Sequence, residues 1–221
     1  MKFSNSIYPE PLNLIGGHMR LKYTGIFIAS VVLVLLTVFH AAAGEPTDRI
    51  RKTTDKLIEI VTNAEFAEPE KKKERDKAVR AAVDEIFDWE AFSQRALGRH
   101  WKKLEADDKI EFIKIFGELL EHTYMDKTSQ YSGEKIEYLE EEIDGKYGVV
   151  KAMVITKDKK EVAVDYRIQN KSGEWFVYDL NVEGVSLVKN YRIQFNSIIM
   201  KSSFDELKKR LYAKVEENQK E

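Results

Sequence analysis

The chain of 221 residues has no cysteine, four prolines and four histidines, and each scarcity removes a class of chemistry. Without cysteine there are no disulfides, no zinc–thiolate sites and no thiol redox couple, so stability must come from an apolar core. His18 and His40 lie in the first 43 residues, which leaves His100 and His122 in the rest of the chain, too few for a His-rich metal cluster. No Gly-x-Ser-x-Gly elbow, phosphate-cradling glycine loop or dinucleotide fingerprint is present. Carboxylate pairs such as Asp107-Asp108 and Glu140 with Glu142 sit in polar surroundings and read as solvated. The chain also lacks a surplus of positive charge. Its net charge is −2, and removing residues 1–43, with three basic and one acidic residue, takes it to −4. A nucleic-acid-binding surface is not indicated.

What is present begins with an export signal. Arg20 and Lys22 precede the apolar run Ile26 to Phe39, and Ala41-Ala42-Ala43 supplies the small-x-small pattern that predicts cleavage after Ala43. A membrane anchor is the competing reading, although the run is shorter than the roughly 20 residues a span prefers. Met19 is placed to be the true start, because Met1 to His18 has no periodicity. Residues 44–215 then form one expected domain, and 216–221 a polar tail.

Helical spacing dominates the first half. Ile50, Leu57, Ile60 or Val61, and Ala64 mark a helix from about Asp48. Pro69 introduces the charged segment Glu70 to Phe87, read as a solvated helix. Asp88 is a candidate N-cap for a short helix that Gly98 ends. A long helix spans about Ala106 to Tyr131, its face assigned to Ile110, Ile113, Phe116 or Gly117, Leu120 and Tyr124, with Phe112 and Leu119 broadening it. Gly117 costs about 1 kcal/mol of helix propensity against alanine, which implies that something approaches the backbone there. Beyond Gly133 the period becomes two, over 135–143, 148–156, 161–169 and 174–182. The short connections predict an antiparallel meander. In the third strand Val162, Val164, Tyr166 and Ile168 face the core, while Asp165, Arg167 and Gln169 face water. Asp179, on the apolar last strand, needs a partner if buried, such as Arg167 or Arg192. A final helix starts at Ser203 with a Ser203/Glu206 capping box.

The stretch from Trp175 to Phe195, WFVYDLNVEGVSLVKNYRIQF, carries the strand-to-helix change. Glu183-Gly184 makes the corner, Ser186 caps the helix, and Leu187, Tyr191 and Phe195 form its stripe. This stretch resembles the signature of the MlaC, or toluene-tolerance, family of periplasmic lipid-transport proteins. Upstream, Phe87-Asp88-Trp89, Leu97-Gly98 with Trp101, Glu111-Phe112 with Phe116, Tyr124, and Val164-Asp165-Tyr166-Arg167 are similar to its other motifs. The resemblance covers about residues 80 to 210.

The resemblance implies an α+β fold in which a four-stranded curved antiparallel sheet is packed by about six helices in an NTF2-like manner, with an apolar cavity between them. Phe112, Phe116, Leu120 and Tyr124 would line the cavity from the long helix. Val150, Ala152, Val154, Val164, Tyr166 and Val177 would line it from the sheet, and Val185, Leu187, Tyr191 and Phe195 from the corner and its helix. Arg192 and Arg167 would stand at the rim. By periodicity alone the same stripes describe a solid core. The implied function is a monomeric periplasmic shuttle for phospholipid, or a hopanoid-like lipid, with no cofactor. Its implied partners are an inner-membrane ABC transporter presenting an MCE domain and an outer-membrane lipoprotein complex. A cavity enzyme using Asp179 or Tyr166, and an interaction module with a filled core, are the alternatives.

Overall fold

The computed structural model describes residues 44–128, 131 and 133–218. The proposed signal segment, the Met19 start and the cleavage after Ala43 therefore lie outside the described residues, as does the end of the tail. Six α-helices and one antiparallel sheet build the described chain. Helix α1 is Glu45–Thr62, α2 Lys72–Asp84, α3 Trp89–Leu97 and α4 Ala106–Thr128, followed by strands β1 Lys135–Asp144, β2 Tyr147–Ile155, β3 Glu161–Lys171, β4 Glu174–Val182 and β5 Val185–Ser186; α5 is Leu187–Lys201 and α6 Phe204–Asn218. Short 3-10 turns at Ala64–Phe66, Pro69–Lys71 and Gly98–Lys103 join the first helices. Pro69 thus opens a 3-10 turn, and α2 starts after it. Residues expected in the polar tail, 216–218, instead extend α6.

The sheet is the predicted meander, ordered β1-β2-β3-β4-β5, with one strand more than expected. The addition is the two-residue β5, which pairs Asn181 with Ser186 and Val182 with Val185. Glu183 (φ 51°) and Gly184 (φ 79°) both take left-handed backbone between them, as a two-residue hairpin turn with the twist of its strands requires. The corner therefore first reverses the chain, and only then does Ser186 cap α5 by accepting from Lys189 N.

Cross-strand pairs Ala152 with Val164, Val150 with Tyr166, and Gly148 with Ile168 place the inward residues on one face, as alternation demands. The other face is less wet than expected, because Gln169 and Asp179 are buried there. Polar partners explain it. Gln169 donates to Asp88 and accepts from Arg95, so α3 and the chain before it cover that end of β3.

Two apolar clusters result. The helical cluster joins Phe92, Leu97, Trp101, Phe112, Phe116, Phe195, Leu207 and Leu211 from α3 to α6. The sheet cluster joins Ile50 of α1 and Ile86 to Val150, Ile168, Trp175 and Val177. Helix α4 meets the helical cluster with Phe112, Ile115, Phe116, Leu119 and Leu120, and Ile113 and Tyr124 pack against it. Its face is therefore the one read in the sequence with Ile115 added, except that Ile110, in the first turn, is 67% exposed. The apolar face is broad because α4 packs against both α6 and α3.

Candidate functional site

The chain between α2 and α3 fixes the site. Residues 86–88 run parallel to β4, Val177 N donating to Ile86 O (2.8 Å) and Asp88 N to Val177 O (2.9 Å). Asp88 then caps α3 by accepting from Ala91 N at 3.0 Å. It also takes hydrogen bonds from Gln169 Nε2 and an ion pair from Lys171 Nζ. Burial works against the Asp88 charge, but these donors outweigh it and hold the carboxyl below its ordinary value. So pinned, the connection sets Phe87 and Trp89 against Phe92 of α3.

An apolar cavity of about 330 Å³ lies between the two clusters, within the range of ordinary ligand pockets. Val79, Arg80 and Val83 of α2 form one wall, Phe87, Trp89 and Phe92 another, Leu120, Glu121 and Tyr124 of α4 a third, and Leu180, Val182 and Leu187 the sheet side. Phe87 stacks on Trp89 at 5.2 Å, and Phe92 tilts against both, so this aromatic wall is fixed. The wall's two charged residues point their charges at each other. Arg80 Nη1 donates to Glu121 Oε2 (2.8 Å) and Nε to Asp84 Oδ1 (2.7 Å), with its guanidinium 4.9 Å from the Trp89 ring centre. Only their carbon stems face the cavity.

Of the residues expected to line a cavity, Leu120, Tyr124 and Leu187 do so. Phe112, Phe116 and Phe195 are filled core instead, with ring centres 5.0–5.7 Å apart. Tyr191 packs on Phe116 at 5.0 Å, its phenol pushed far up by burial, with the Tyr124 hydroxyl as its hydrogen-bond partner. Val150 and Val177 belong to the sheet cluster. Ala152 and Val164 are buried as cross-strand partners, and Val154 is half-buried opposite Val162. Tyr166 turns toward Thr54 of α1, and burial raises its phenol to about 12; it is not in the cavity wall. Val185 is 58% exposed, because the β5 hairpin carries it outward.

The expected arginines also move. Asp179 does not pair with Arg192. It accepts from Ser186 Oγ (2.6 Å) and Val188 N (3.0 Å), and thereby caps α5. Of the two expected arginines it is Arg167 that pairs with Asp179, its Nε 3.9 Å from Oδ2. Arg192 Nε donates to Arg95 O at 2.6 Å, at the end of α3. Neither Asp179 nor Arg192 lines the cavity.

The missed wall is α2. Val79, Val83 and Phe87 recur at a spacing of four within the charged segment, a stripe the lysines and glutamates around it obscure. Gly117 does mark a close approach, but by Arg80, whose Nη2 would lie 3.1 Å from an added Cβ.

Comparison with known proteins adds three findings. The family profile described as MlaC protein matches residues 51–213. A curated relative, the intermembrane phospholipid transport system binding protein MlaC of Haemophilus influenzae, is 28% identical over 191 residues, covering 81% of this chain and 87% of the relative. A solved structure of a phospholipid-binding protein from Ralstonia solanacearum, in complex with a phospholipid, superposes with a TM-score of 0.70 at 22% identity, covering 80% of this chain and 99% of that one.

Proposed function

The chain belongs to the MlaC family, and from that premise we propose that it is a periplasmic phospholipid carrier whose cavity between α2, α4 and β4 holds acyl chain. The observation that carries this reading is the cavity itself, walled by carbon between the helical and sheet clusters. The named relatives agree in chemistry, one being a phospholipid-transport binding protein and the other a phospholipid-binding protein in complex with its ligand.

Thermodynamics favours enclosure. A phospholipid exposes about 30 methylenes, each worth about 0.8 kcal/mol on leaving water, so a soluble carrier must hide on the order of 24 kcal/mol of hydrocarbon. The cavity as it stands is smaller than that cargo. An empty cavity of about 150 Å³ takes one benzene, so about 330 Å³ takes roughly a dozen carbons. Seating two chains requires the α2 wall to move outward.

In this reading the chain is exported, begins at Gly44, collects lipid from an inner-membrane ABC transporter complex with an MCE domain and exchanges it with an outer-membrane lipoprotein complex. The acyl chains undergo no covalent change. Organic extraction and mass spectrometry of the protein purified from the periplasm test it. About one phospholipid per chain is expected. Protein that comes free of lipid, and takes none from vesicles, would remove the proposal.

A further inference from the structure

Away from the cavity, a second concavity of about 360 Å³ lies between the end of α3 and the outer side of α5, lined by Leu97, Gly98, Arg99, His100, Arg192, Ile193 and Asn196. Its chemistry is one-sided. Asn196 Oδ1 accepts from Arg99 Nη2 (3.1 Å) and lies 2.9 Å from His100 Nε2, so its one acceptor is used and its amide nitrogen is left to donate. Arg192 spends Nε on Arg95 O and keeps its two terminal nitrogens. Its side chain lies across Gly98, 3.5 Å from where a Cβ would stand, beside Arg99.

Most described arginines meet a carboxylate, as Arg49, Arg75, Arg80, Arg167 and Arg210 do, or lie over a ring, as Arg51 and Arg95 do. Among the described residues Arg99 and Arg192 have neither, and both line this concavity. Two guanidinium groups that line one concavity without a carboxylate partner leave donors to spare for an oxyanion.

The surroundings extend the pattern. The 3-10 turn Gly98–Lys103 and helix α5 contain no acidic residue, yet carry Arg99, Lys102, Lys103, Lys189, Arg192 and Lys201 in a chain of net charge −2. On the same helix Ile193 is 63% and Met200 62% exposed, and their spacing of seven puts them on one side. Cations around exposed apolar side chains suit a lipid surface, where phosphates meet the charges and the apolar side chains enter the headgroup boundary. Lysine dominates the cations, whereas protein interfaces are depleted in it.

We propose that the α3-end/α5 face is a docking surface for an anionic membrane, with a headgroup phosphate seated between Arg99, Arg192 and Asn196. Leu187, at the start of α5, lines the lipid cavity, so one helix joins the docking face to the cargo site. The surface does not depend on what fills the cavity.

Co-sedimentation of the exported protein with vesicles tests it, using phosphatidylcholine alone and phosphatidylcholine with a third of phosphatidylglycerol. Binding to the anionic vesicles only, weakened by salt, is expected. The Arg99→Glu/Lys103→Glu variant should bind at least about tenfold more weakly, and Ile193→Ser should also weaken binding. These residues are exposed, so circular dichroism should be unchanged, and extraction should still recover whatever lipid the parent carries. Equal binding to both vesicles, or none, overturns the proposal. Binding to soluble polyglutamate without vesicle binding overturns it in favour of an acidic protein partner. Perturbation of the Asn196 amide by inorganic phosphate without vesicle binding reduces the concavity to an ion site and also overturns it.

Discussion

Arg80 of α2 reaches Glu121 of α4 at 2.8 Å across the edge of the apolar cavity. Trp89 lies beneath its guanidinium and Asp84 accepts from its Nε. The pair bridges two cavity walls, one of which moves, on the proposed function, when a two-chain lipid enters. Both side chains are about a quarter exposed, so breaking the contact should cost little stability, about 0.5–1 kcal/mol. Glu121→Gln is therefore expected to melt close to the parent but to exchange lipid with vesicles faster. An unchanged exchange rate would show that the cavity opens elsewhere.

Asp179 and Ser186 give a second test. The buried carboxylate holds the Ser186 hydroxyl and the Val188 amide, so it sets where α5 starts. Asp179→Ala leaves both donors without their acceptor and should cost about 2–3 kcal/mol. In double-mutant cycles by denaturant unfolding, Asp179→Ala with Ser186→Ala should couple by more than about 0.5 kcal/mol. Asp179→Ala with Arg192→Ala should be additive, because Arg192 is committed to Arg95 O. Coupling of the second pair would contradict the geometry.

The strands, their order, the Asp88 and Ser186 caps and the strand-to-helix corner were legible in the sequence because each depends on local spacing or on one capping residue. The site was legible only in part, for a physical reason. Phe116, Phe195 and Tyr124 follow the same helical period, and periodicity cannot tell an aromatic ring that fills a core from one that borders a void. On α4 the period gave the inward face, and only Ile110, 67% exposed in the first turn, departs from it. The α2 wall was hidden because Val79 and Val83 sit among lysines and glutamates, so charge density outweighed the period. Asp179 needed a partner as expected, but its hydroxyl and amide donors come from the hairpin turn that brings Ser186 back to β4.

Asp88 predicts a pH dependence. Its folded-state carboxyl lies below the ordinary value of 3.8, so the unfolded chain takes up the proton first as pH falls. The contribution is complete above the unfolded value and is lost as pH drops through the folded one. Asp88→Ala should lower stability at neutral pH by about 2–3 kcal/mol, from the cap and the unsatisfied Gln169 amide. The difference between parent and variant should shrink on acidification below about pH 4. A difference independent of pH down to pH 2 would mean that the charge plays no part.

Enlarging a side chain separates filled core from cavity wall. Gly117 and Ala152 resemble places where leucine could fill an acyl-chain void, but neither borders the cavity. An added Cβ at Gly117 meets Arg80 Nη2 at 3.1 Å, so the larger side chain of Gly117→Leu must push the Arg80 guanidinium aside. Ala152 is buried between Tyr138 and Val164 in the sheet. Both leucine variants should therefore overpack and lose about 1–3 kcal/mol. Val83 is the informative site, since it stands in the cavity wall on α2, and phenylalanine there has space to enter. Val83→Phe is expected to keep or raise the melting temperature while the extracted lipid per chain falls. If Val83→Phe destabilises the fold as the other two do and the bound lipid is unchanged, the acyl chains do not use this cavity.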